Sequence, residues 1–429
     1  MGAIIKRSTL KPTYYKDFQC IGGACEASCC NRLWRIVIDK NTYTKYRNSK
    51  DPIFREKVDS CVKRIRKTAG DRQYAEFVLE KGSGKCPFHA EGGLCEIHRD
   101  MGEKYLSLTC KVYPRIVRTM ANGEYDLEFS ISMSCPHAVR IALFEEEPME
   151  FESTLEEFDA HSAIVLAGIG KPEQAPEPTH YIENGWSMRE AAVTILQDRA
   201  YSISDRILII GMMLSKVVRL HDEGKHEEIG SAIRMYRDGA LGGAYDEMLG
   251  SFELNELMQY KAASALDAAI VGKRQKYPAF AEVIKRFTAY LEQPDPSRPN
   301  GKIDVSMHFH AYCKLNADEL WDGFLDRWAH VLENYLVNFI FSEMFPLKYH
   351  GKGLNPYHHV LILAEQYALL KIIICGNYDE EEGFTKQYIT RMISQVAEMN
   401  QHSEDPLKIA QQYKAADLDG LPYLYHLLA

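Results

Sequence analysis

The sequence predicts a mostly α-helical protein, in which a small cysteine-rich α+β domain precedes an all-helical domain. Three observations lead to this fold class. The 429 residues exceed what one ordinary hydrophobic core accommodates. Eight of the eleven cysteines form a pattern within residues 13–143, and from about residue 186 apolar residues recur with helical spacing almost to the end. With 46 % apolar and 26 % charged residues, the chain is able to fold around large cores.

The first residues lack the features of a targeting signal. "MGAIIKRSTLKPTYY" has a short apolar patch followed at once by basic residues, whereas a secretory signal has a basic start and a longer apolar run. Lys6 stands where a myristoylation site has Ser or Thr. No run reaches the roughly twenty uninterrupted apolar residues of a membrane span. We therefore predict a cytoplasmic protein with no membrane partner.

This location decides how the cysteines are interpreted. Cytosolic thiols are kept reduced, so a group of them predicts metal binding or catalysis before disulfides. "CIGGACEASCC" at positions 20–30 contains four cysteines, two of them adjacent. Single cysteines follow at wide intervals. The eight candidate thiols are Cys20, Cys25, Cys29, Cys30, Cys86, Cys95, Cys110 and Cys135.

Charge is unevenly distributed along the chain. Residues 1–140 carry 25 Lys and Arg against 16 Asp and Glu, and the remainder carries 26 against 44. Either the two parts attract each other, or the basic part meets an anionic partner or cofactor. Without a Lys/Arg tract or an RNA-binding motif, no nucleic-acid partner is expected.

Residues 1–145 are predicted to form the cysteine-rich domain. Its residues 51–80 have the amphipathic pattern of a helix. "RIVRTMANGEYDLEFSISMSC" alternates and has a turn at Asn122-Gly123, which predicts a short hairpin. Residues 81–110 alone provide little core, so we expect this unit to be organised around its ligands.

Residues 146–185 are predicted to be an acidic, Pro-containing connection, because "GKPEQAPEPTHYIE" suits no regular element. The helical domain then spans 186–429, and a breaker near 293–302 is where it would divide into two helical subdomains. No fixed period repeats, so a bundle describes it better than a solenoid. Trp321 and Trp328, seven residues apart, are expected in its core. Individual helices are predicted at 187–201, 202–224, 225–240, 252–270 and 278–292.

Two metals compete for the thiols. Structural zinc usually takes Cys-x2-Cys pairs, and this chain has none. Its spacings are Cys-x4-Cys, Cys-x3-Cys and an adjacent pair, which suit the separate irons of an iron–sulfur cluster better than one small ion. An iron–sulfur centre is therefore favoured, with zinc as the alternative metal and metal-free redox thiols as a third possibility. The number of centres stays open. Cys61, Cys313 and Cys375 are interpreted as ordinary thiols in helical segments.

Three histidines lie within three residues of a candidate ligand: His89, His98 and His137. A histidine is able to replace a cysteine as a ligand. With eight thiols available, however, we expect these rings beside the ligands or on the surface.

The segments "YYKDFQCIGGACEASCC", "CPFHAEGGLCEIHRDMGEKYLSLTCKVYPR" and "SMSCPHAVRIAL", within 13–143, resemble the flagellin lysine-N-methylase family. More distantly, they are similar to small zinc- or iron-chelating proteins with an eight-cysteine pattern. "LENYLVNFIFSEMFP" at 332–346 is similar to the helical C-terminal part of the family. The resemblance implies methyl transfer to lysines of flagellin as protein substrate, with S-adenosylmethionine as donor and a four-iron four-sulfur (4Fe-4S) cluster. It also implies that the candidate thiols other than Cys135 are metal ligands, and Cys135 joins them through the wider eight-cysteine pattern.

The chain lacks two usual methyltransferase motifs. It has no strand–Gly-x-Gly–helix unit of the Rossmann class and no Cys-x3-Cys-x2-Cys triplet of radical S-adenosylmethionine enzymes. We expect instead that the cluster binds or orients the donor and that the adjoining surface receives the lysine. Tyr113 and Arg115 of "KVYPR" are the candidate catalytic residues, a core tyrosine and a surface arginine being the alternatives. The alternative functions are a non-catalytic iron–sulfur or zinc carrier and a zinc-stabilised interaction module.

Overall fold

A computed structural model gives the fold of residues 4–30, 35–66, 70–81, 83–119, 123–159, 179–240, 244–276, 278–287, 318–401 and 405–429. The predicted subdomain break at 293–302 and Cys313 lie outside these residues. The described part is mostly helical, with its sheets confined to residues 4–159, which confirms the predicted fold class.

The strands form two small sheets. A four-stranded sheet has the order β5-β6-β1-β7, and a three-stranded sheet has the order β2-β4-β3. The strands are β1 (Ile4–Pro12), β2 (Val37–Ile38), β3 (Val62–Arg64), β4 (Ala75–Phe77), β5 (Arg115–Arg118), β6 (Leu127–Ile131) and β7 (Phe151–Asp159).

β1 is an interior strand of the larger sheet, between β6 and β7. It pairs antiparallel with β7 from Ile4↔Asp159 to Pro12↔Phe151, and parallel with β6 at Thr9↔Leu127. Basic residues of β1 face acidic residues of β7: Lys6 Nζ lies 3.2 Å from Glu157, and Lys11 Nζ lies 2.6 Å from Glu156. The basic and acidic parts of the chain therefore attract each other at this ladder. β7 also shows that the stretch interpreted as a connection contains a regular strand.

The predicted hairpin is confirmed, because β5 and β6 pair antiparallel from Arg115↔Ile131 to Arg118↔Glu128. Of its predicted turn, Asn122 lies outside the described residues. The single helix predicted over residues 51–80 is wrong beyond Cys61. Instead, β3 and β4 pair antiparallel from Val62↔Phe77 to Arg64↔Ala75. Ala75 and Phe77 alternate inward onto a shared core, a tertiary contact that overrides the helical pattern.

Short helices accompany the sheets. Asp39 and Asp51 cap the first two of them by accepting backbone N–H bonds from Thr42 and from Ile53 and Phe54. These helices are α1 (Lys40–Arg47), α2 (Pro52–Cys61), α3 (Leu108–Val112) and α4 (Pro136–Ala142).

The remaining helices form the body of the protein. Ser202 caps one of them by accepting from the Asp205 backbone N–H at 3.2 Å. The helices are α5 (His180–Glu183), α6 (Gly185–Leu196), α7 (Ile203–Asp222), α8 (Ile229–Ala240), α9 (Asp246–Leu249), α10 (Glu256–Lys276), α11 (Pro278–Val283), α12 (Asp318–Ser342), α13 (Pro356–Gly376), α14 (Lys386–Gln401), α15 (Asp405–Ala415) and α16 (Leu421–Leu428).

α13 is the central helix of this body, and nearly all of its residues are buried. Among the described residues it is the one helix whose length and composition would allow it to cross a membrane. The window concerned is 94 % buried inside the protein, and the core helix of a soluble protein meets the same criterion.

Two main hydrophobic cores organise the chain. The smaller one lies within residues 36–110 and includes Tyr46, Phe54 and Phe88. The larger one fills the helical body, including Trp321 and Trp328 as predicted, and it also takes in Ile131 of β6 and residues of α4. Packing is thus continuous from the larger sheet into the helices. The predicted boundaries at 145 and 185 stay predictions.

Candidate metal centre

Five of the eight candidate thiols lie together; we call Cys29, Cys30, Cys86, Cys95 and Cys110 the thiol cluster. The Cys30 thiol shares hydrogen bonds with the Cys29 and Cys95 thiols. Cys86 and Cys110 both interact electrostatically with Cys29 and Cys95. The Cys86 backbone N–H donates to the Cys30 carbonyl at 2.8 Å, which fixes the adjacent pair against the next cysteine segment. Residues far apart in sequence therefore bring their thiols near enough to interact with one another.

A tight loop presents Cys86 and Cys95. His89 and Cys95 form an antiparallel bridge, and the Glu96 backbone N–H donates to the Phe88 carbonyl at 2.8 Å. Between His89 and Cys95, Gly92 and Gly93 turn the chain with φ of 87° and 79°, values that residues other than glycine rarely adopt. The loop thus returns Cys95 towards the segment of Cys86.

α3 presents Cys110 beside the same core. Ser107 caps this short helix by accepting from the Cys110 backbone N–H at 3.3 Å. The Thr109 hydroxyl donates to the Val37 carbonyl at 3.2 Å, which ties the helix to β2. Cys110 also packs against the smaller core. The fold therefore holds the thiol cluster on a rigid apolar base.

The thiols differ in acidity. Contact with the Cys30 thiol, assisted by the backbone N–H groups of His98 and Ile97, lowers the pKa of Cys95 to about 6. Burial raises the pKa of Cys86 to about 11 and that of Cys110 to about 12. Because these raised pKa values keep Cys86 and Cys110 protonated at neutral pH, a nearby cation would be needed to make them thiolates. Ligand thiols must lose their protons to bind a metal.

The segments carrying Cys20, Cys25 and Cys135 lie against one another at a second position. Glu26 forms an ion pair with Arg140 on α4, the helix that begins directly after Cys135. The rings of Phe18 and His137 are 5.8 Å apart. Cys20 is exposed, whereas Cys25 and Cys135 are half-buried.

This second position adjoins the loop of the thiol cluster. A Cβ atom on Gly23 would lie only 2.7 Å from the Gly92 carbonyl oxygen, so the two glycine turns are in backbone contact. The chain therefore places the segments of all eight predicted ligands in one region, with five of the sulfurs grouped.

The two candidate catalytic residues lie beside this region. The Tyr113 hydroxyl is 3.1 Å from the Ser134 hydroxyl, which in turn is 2.7 Å from that of Ser132. The Arg115 guanidinium donates to the Phe18 carbonyl at 3.3 Å and lies 5.0 Å from the centre of the Phe18 ring. Both side chains are half-buried, and these contacts leave their catalytic role a prediction.

The three histidines near cysteines differ in their surroundings. His98 is exposed, and His137 packs on Phe18. Both ring nitrogens of His89 are shielded from solvent and have no hydrogen-bond partner among the described residues.

The donor set fits a thiolate-bound metal by its chemistry, because grouped thiols suit iron–sulfur clusters and zinc. The unpartnered nitrogens of His89 add two further donor atoms in the same loop. As the side chains stand, no three His, Cys, Asp or Glu residues in the described ranges form a group that could hold a metal ion. The ligand assignment therefore stays a prediction that rests on donor chemistry and proximity.

Sequence reasoning missed a buried polar group in the helical body. Glu365 is fully buried in α13, and neither of its carboxylate oxygens has a hydrogen-bond partner in the described part of the chain. Lys273 Nζ lies 3.8 Å away and donates to Asn400, whose amide donates to Gln366 at 2.7 Å. The signal available in the sequence was a Glu-Gln pair inside the apolar run "VLILAEQYALL".

The chain is similar to known proteins over most of its length. The family model described as the FliB lysine N-methylase C-terminal domain matches residues 189–427. A lysine-N-methylase of Salmonella choleraesuis and one of Salmonella typhimurium are each 32 % identical over 419 residues, which covers 93 % of this chain and 93 % of theirs. The flagellar biosynthetic protein FliU of Salmonella muenchen is 30 % identical over 154 residues, or 36 % of this chain and 87 % of FliU. No solved structure matches the chain.

Proposed function

The chain belongs to the lysine-N-methylase family, and from this premise we propose that it methylates lysine side chains of flagellin with S-adenosylmethionine as donor. Membership makes it a lysine methyltransferase. Two features support flagellin as the protein substrate: the flagellar name of the FliU relative, and the resemblance of the cysteine segments to flagellin methylases.

The observation that carries the proposal is the proximity of five thiols, which interact with one another beside the smaller core. We propose that the thiol cluster holds a 4Fe-4S cluster, with Cys20, Cys25 and Cys135 as further candidate ligands. Zinc is the alternative metal. A bound iron–sulfur cluster would supply iron for electron transfer and, at an iron without a thiolate, a position open to a small ligand.

The reaction requires a neutral lysine amine. In the transfer, the amine nitrogen forms a bond to the methyl carbon while the carbon–sulfur bond breaks, its electron pair stays on sulfur, and a proton leaves the nitrogen for solvent. An excess of Lys and Arg in residues 1–140 would lower the pKa of an approaching lysine ammonium group and so favour the neutral amine before transfer. The half-buried Tyr113 and Arg115 stay the candidate side chains for positioning the amine.

Anaerobically purified full-length protein provides the test. We expect matched iron and acid-labile sulfide, an absorbance of an iron–sulfur centre, and transfer of labelled methyl groups from S-adenosylmethionine to flagellin. Cys29→Ser/Cys30→Ser should lose both metal and transfer. Cys61→Ser is the matched control, because Cys61 lies in the same core but outside the predicted ligand set, and it should retain both.

Other results would redirect the proposal. Colourless protein with stoichiometric zinc and normal transfer would replace the cluster by zinc and keep the methyltransferase. Bound iron–sulfur without any transfer to flagellin would favour the non-catalytic carrier. Transfer that survives complete loss of metal in the Cys29→Ser/Cys30→Ser variant would contradict a role for the thiol cluster.

A further inference from the structure

We propose that His89 is a nitrogen ligand of the metal centre held by the thiol cluster. This inference rests on the proposed function in one respect, since it requires that the thiol cluster binds a metal. It adds a donor atom of a different chemical class to a set otherwise made of sulfur.

The backbone directs His89 to the thiol cluster. His89 and Cys95 face each other in an antiparallel bridge. Residues directly opposite in such a bridge place their side chains on the same face, with Cβ atoms a few ångströms apart. The His89 backbone N–H also donates to the Cys86 carbonyl at 3.0 Å, so the His89 backbone is fixed to the segments of two cysteines of the thiol cluster.

The side chain has no other use for its nitrogens within the described residues. Both Nδ1 and Nε2 are shielded from solvent and lack a hydrogen-bond partner. Buried polar atoms are nearly always satisfied, because leaving a donor or acceptor unpaired costs free energy. One imidazole with two such atoms is unusual, and a metal at the neighbouring sulfurs would engage one of them.

His98 provides an internal comparison. It lies three residues after Cys95, just as His89 lies three residues after Cys86. Its side chain, however, is exposed to water and needs no protein partner. Sequence distance from a cysteine therefore does not distinguish the two histidines, whereas burial does.

Imidazole suits either metal that the thiols could bind. Zinc accepts mixed cysteine and histidine ligands, and histidine replaces cysteine on one iron of some iron–sulfur centres. Because imidazole is neutral and thiolate is negative, its use lowers the negative charge of the centre and raises its reduction potential.

The test uses full-length protein with histidine labelled by nitrogen-15, purified anaerobically with its native metal. If the centre is iron–sulfur, pulsed electron paramagnetic resonance of the reduced protein should show a strongly coupled imidazole nitrogen. His89→Ala should lose this coupling, and His98→Ala should keep it. His89→Cys should restore a centre with sulfur ligands alone and a lower midpoint potential. If the metal is zinc, X-ray absorption should show nitrogen at about 2.0–2.1 Å beside sulfur at about 2.3 Å, and His89→Cys should remove the nitrogen.

The outcomes separate this inference from the proposed function. Bound metal without an imidazole nitrogen in the wild type, measured by resonance for iron–sulfur or by X-ray absorption for zinc, overturns the assignment of His89. It leaves the methyltransferase proposal intact, whether or not the variants fold. Coupling that persists in His89→Ala also overturns it. Protein that binds no metal at all overturns both the assignment and the proposed cofactor.

Discussion

The Tyr113 hydroxyl belongs to a short chain of hydroxyl groups that continues through Ser134, the neighbour of Cys135, to Ser132. We expect Tyr113→Phe to retain its metal, because no sulfur atom is altered, and to lower methylation of flagellin at least tenfold if the hydroxyl acts on the amine. Loss of one hydrogen bond should cost about 1 kcal/mol of stability. Metal content, turnover and thermal unfolding measured together decide the matter. Unchanged turnover would assign the hydroxyl to the fold alone.

His359 predicts a pH-dependent stability. Burial, followed by nearby positive charges, lowers its pKa to about 3, below the ordinary value of 6.5. The unfolded chain therefore takes up a proton near pH 6.5 that the folded chain does not, so the free energy of unfolding should fall as pH decreases from 6.5 towards 3. The loss is at most about 1.4 kcal/mol per pH unit.

His359→Gln should remove this part of the pH dependence. The glutamine retains an acceptor for the Tyr349 backbone N–H, which donates to His359 at 3.3 Å. Denaturant midpoints at pH 7 and pH 5 should differ less in the variant than in the wild type. The exposed His98→Gln is the control and should keep the wild-type difference. Equal pH dependence in all three proteins would contradict the prediction.

Between elements, one buried ion pair joins the larger sheet to the helical body. The Arg189 guanidinium on α6 donates to Glu128 on β6 at 2.8 and 2.5 Å, and both side chains are almost fully buried. We expect Arg189→Met to cost about 3–5 kcal/mol, because it leaves a buried carboxylate without its partner. Chemical denaturation measures the loss.

The double variant Glu128→Met/Arg189→Met provides the matched comparison. Replacing both members by apolar side chains removes the unpaired charge, so it should recover most of the stability. If the single variant loses less than about 1 kcal/mol, or the double variant loses more than the single one, the pair does not join the two elements as inferred.

Contacts between elements also explain why the helix predicted over residues 51–80 is wrong beyond Cys61. Residues 51–80 contain charges and apolar residues at helical spacing, but only Pro52–Cys61 is helical. Ala75 and Phe77 face the smaller core from a strand instead. A three-residue strand has no periodicity long enough to detect, and its conformation is decided by β2 and β3 on either side.

For the molecule as a whole, separate cores predict separate responses to metal removal. Residues 36–110 pack around their own core, whereas the helices pack around another. We expect chelation of the metal to increase backbone hydrogen exchange within 36–110, because metal binding to the folded state is folding free energy. Exchange in α7, α12 and α13 should stay unchanged. Equal deprotection of both cores would show that they unfold together.

The match over 93 % of the lysine-N-methylases also bears on the molecule as a whole. It shows that the cysteine-rich part and the helical body occur together in one chain in these relatives as well. The Glu128–Arg189 pair supplies a physical link between the two parts, joining residues more than 60 positions apart.

The sequence alone determined the helical body, the cysteine-rich N-terminal part and the family, because these depend on apolar periodicity, on composition and on runs of neighbouring residues. Helix α7 and the hairpin of β5 and β6 are examples. Only the tertiary structure decided which thiols are grouped, that β7 pairs with β1, and which histidine is buried without a partner. These features are contacts between residues distant in the chain. Local spacing carries no information about them, since loop paths and core packing determine which distant residues meet.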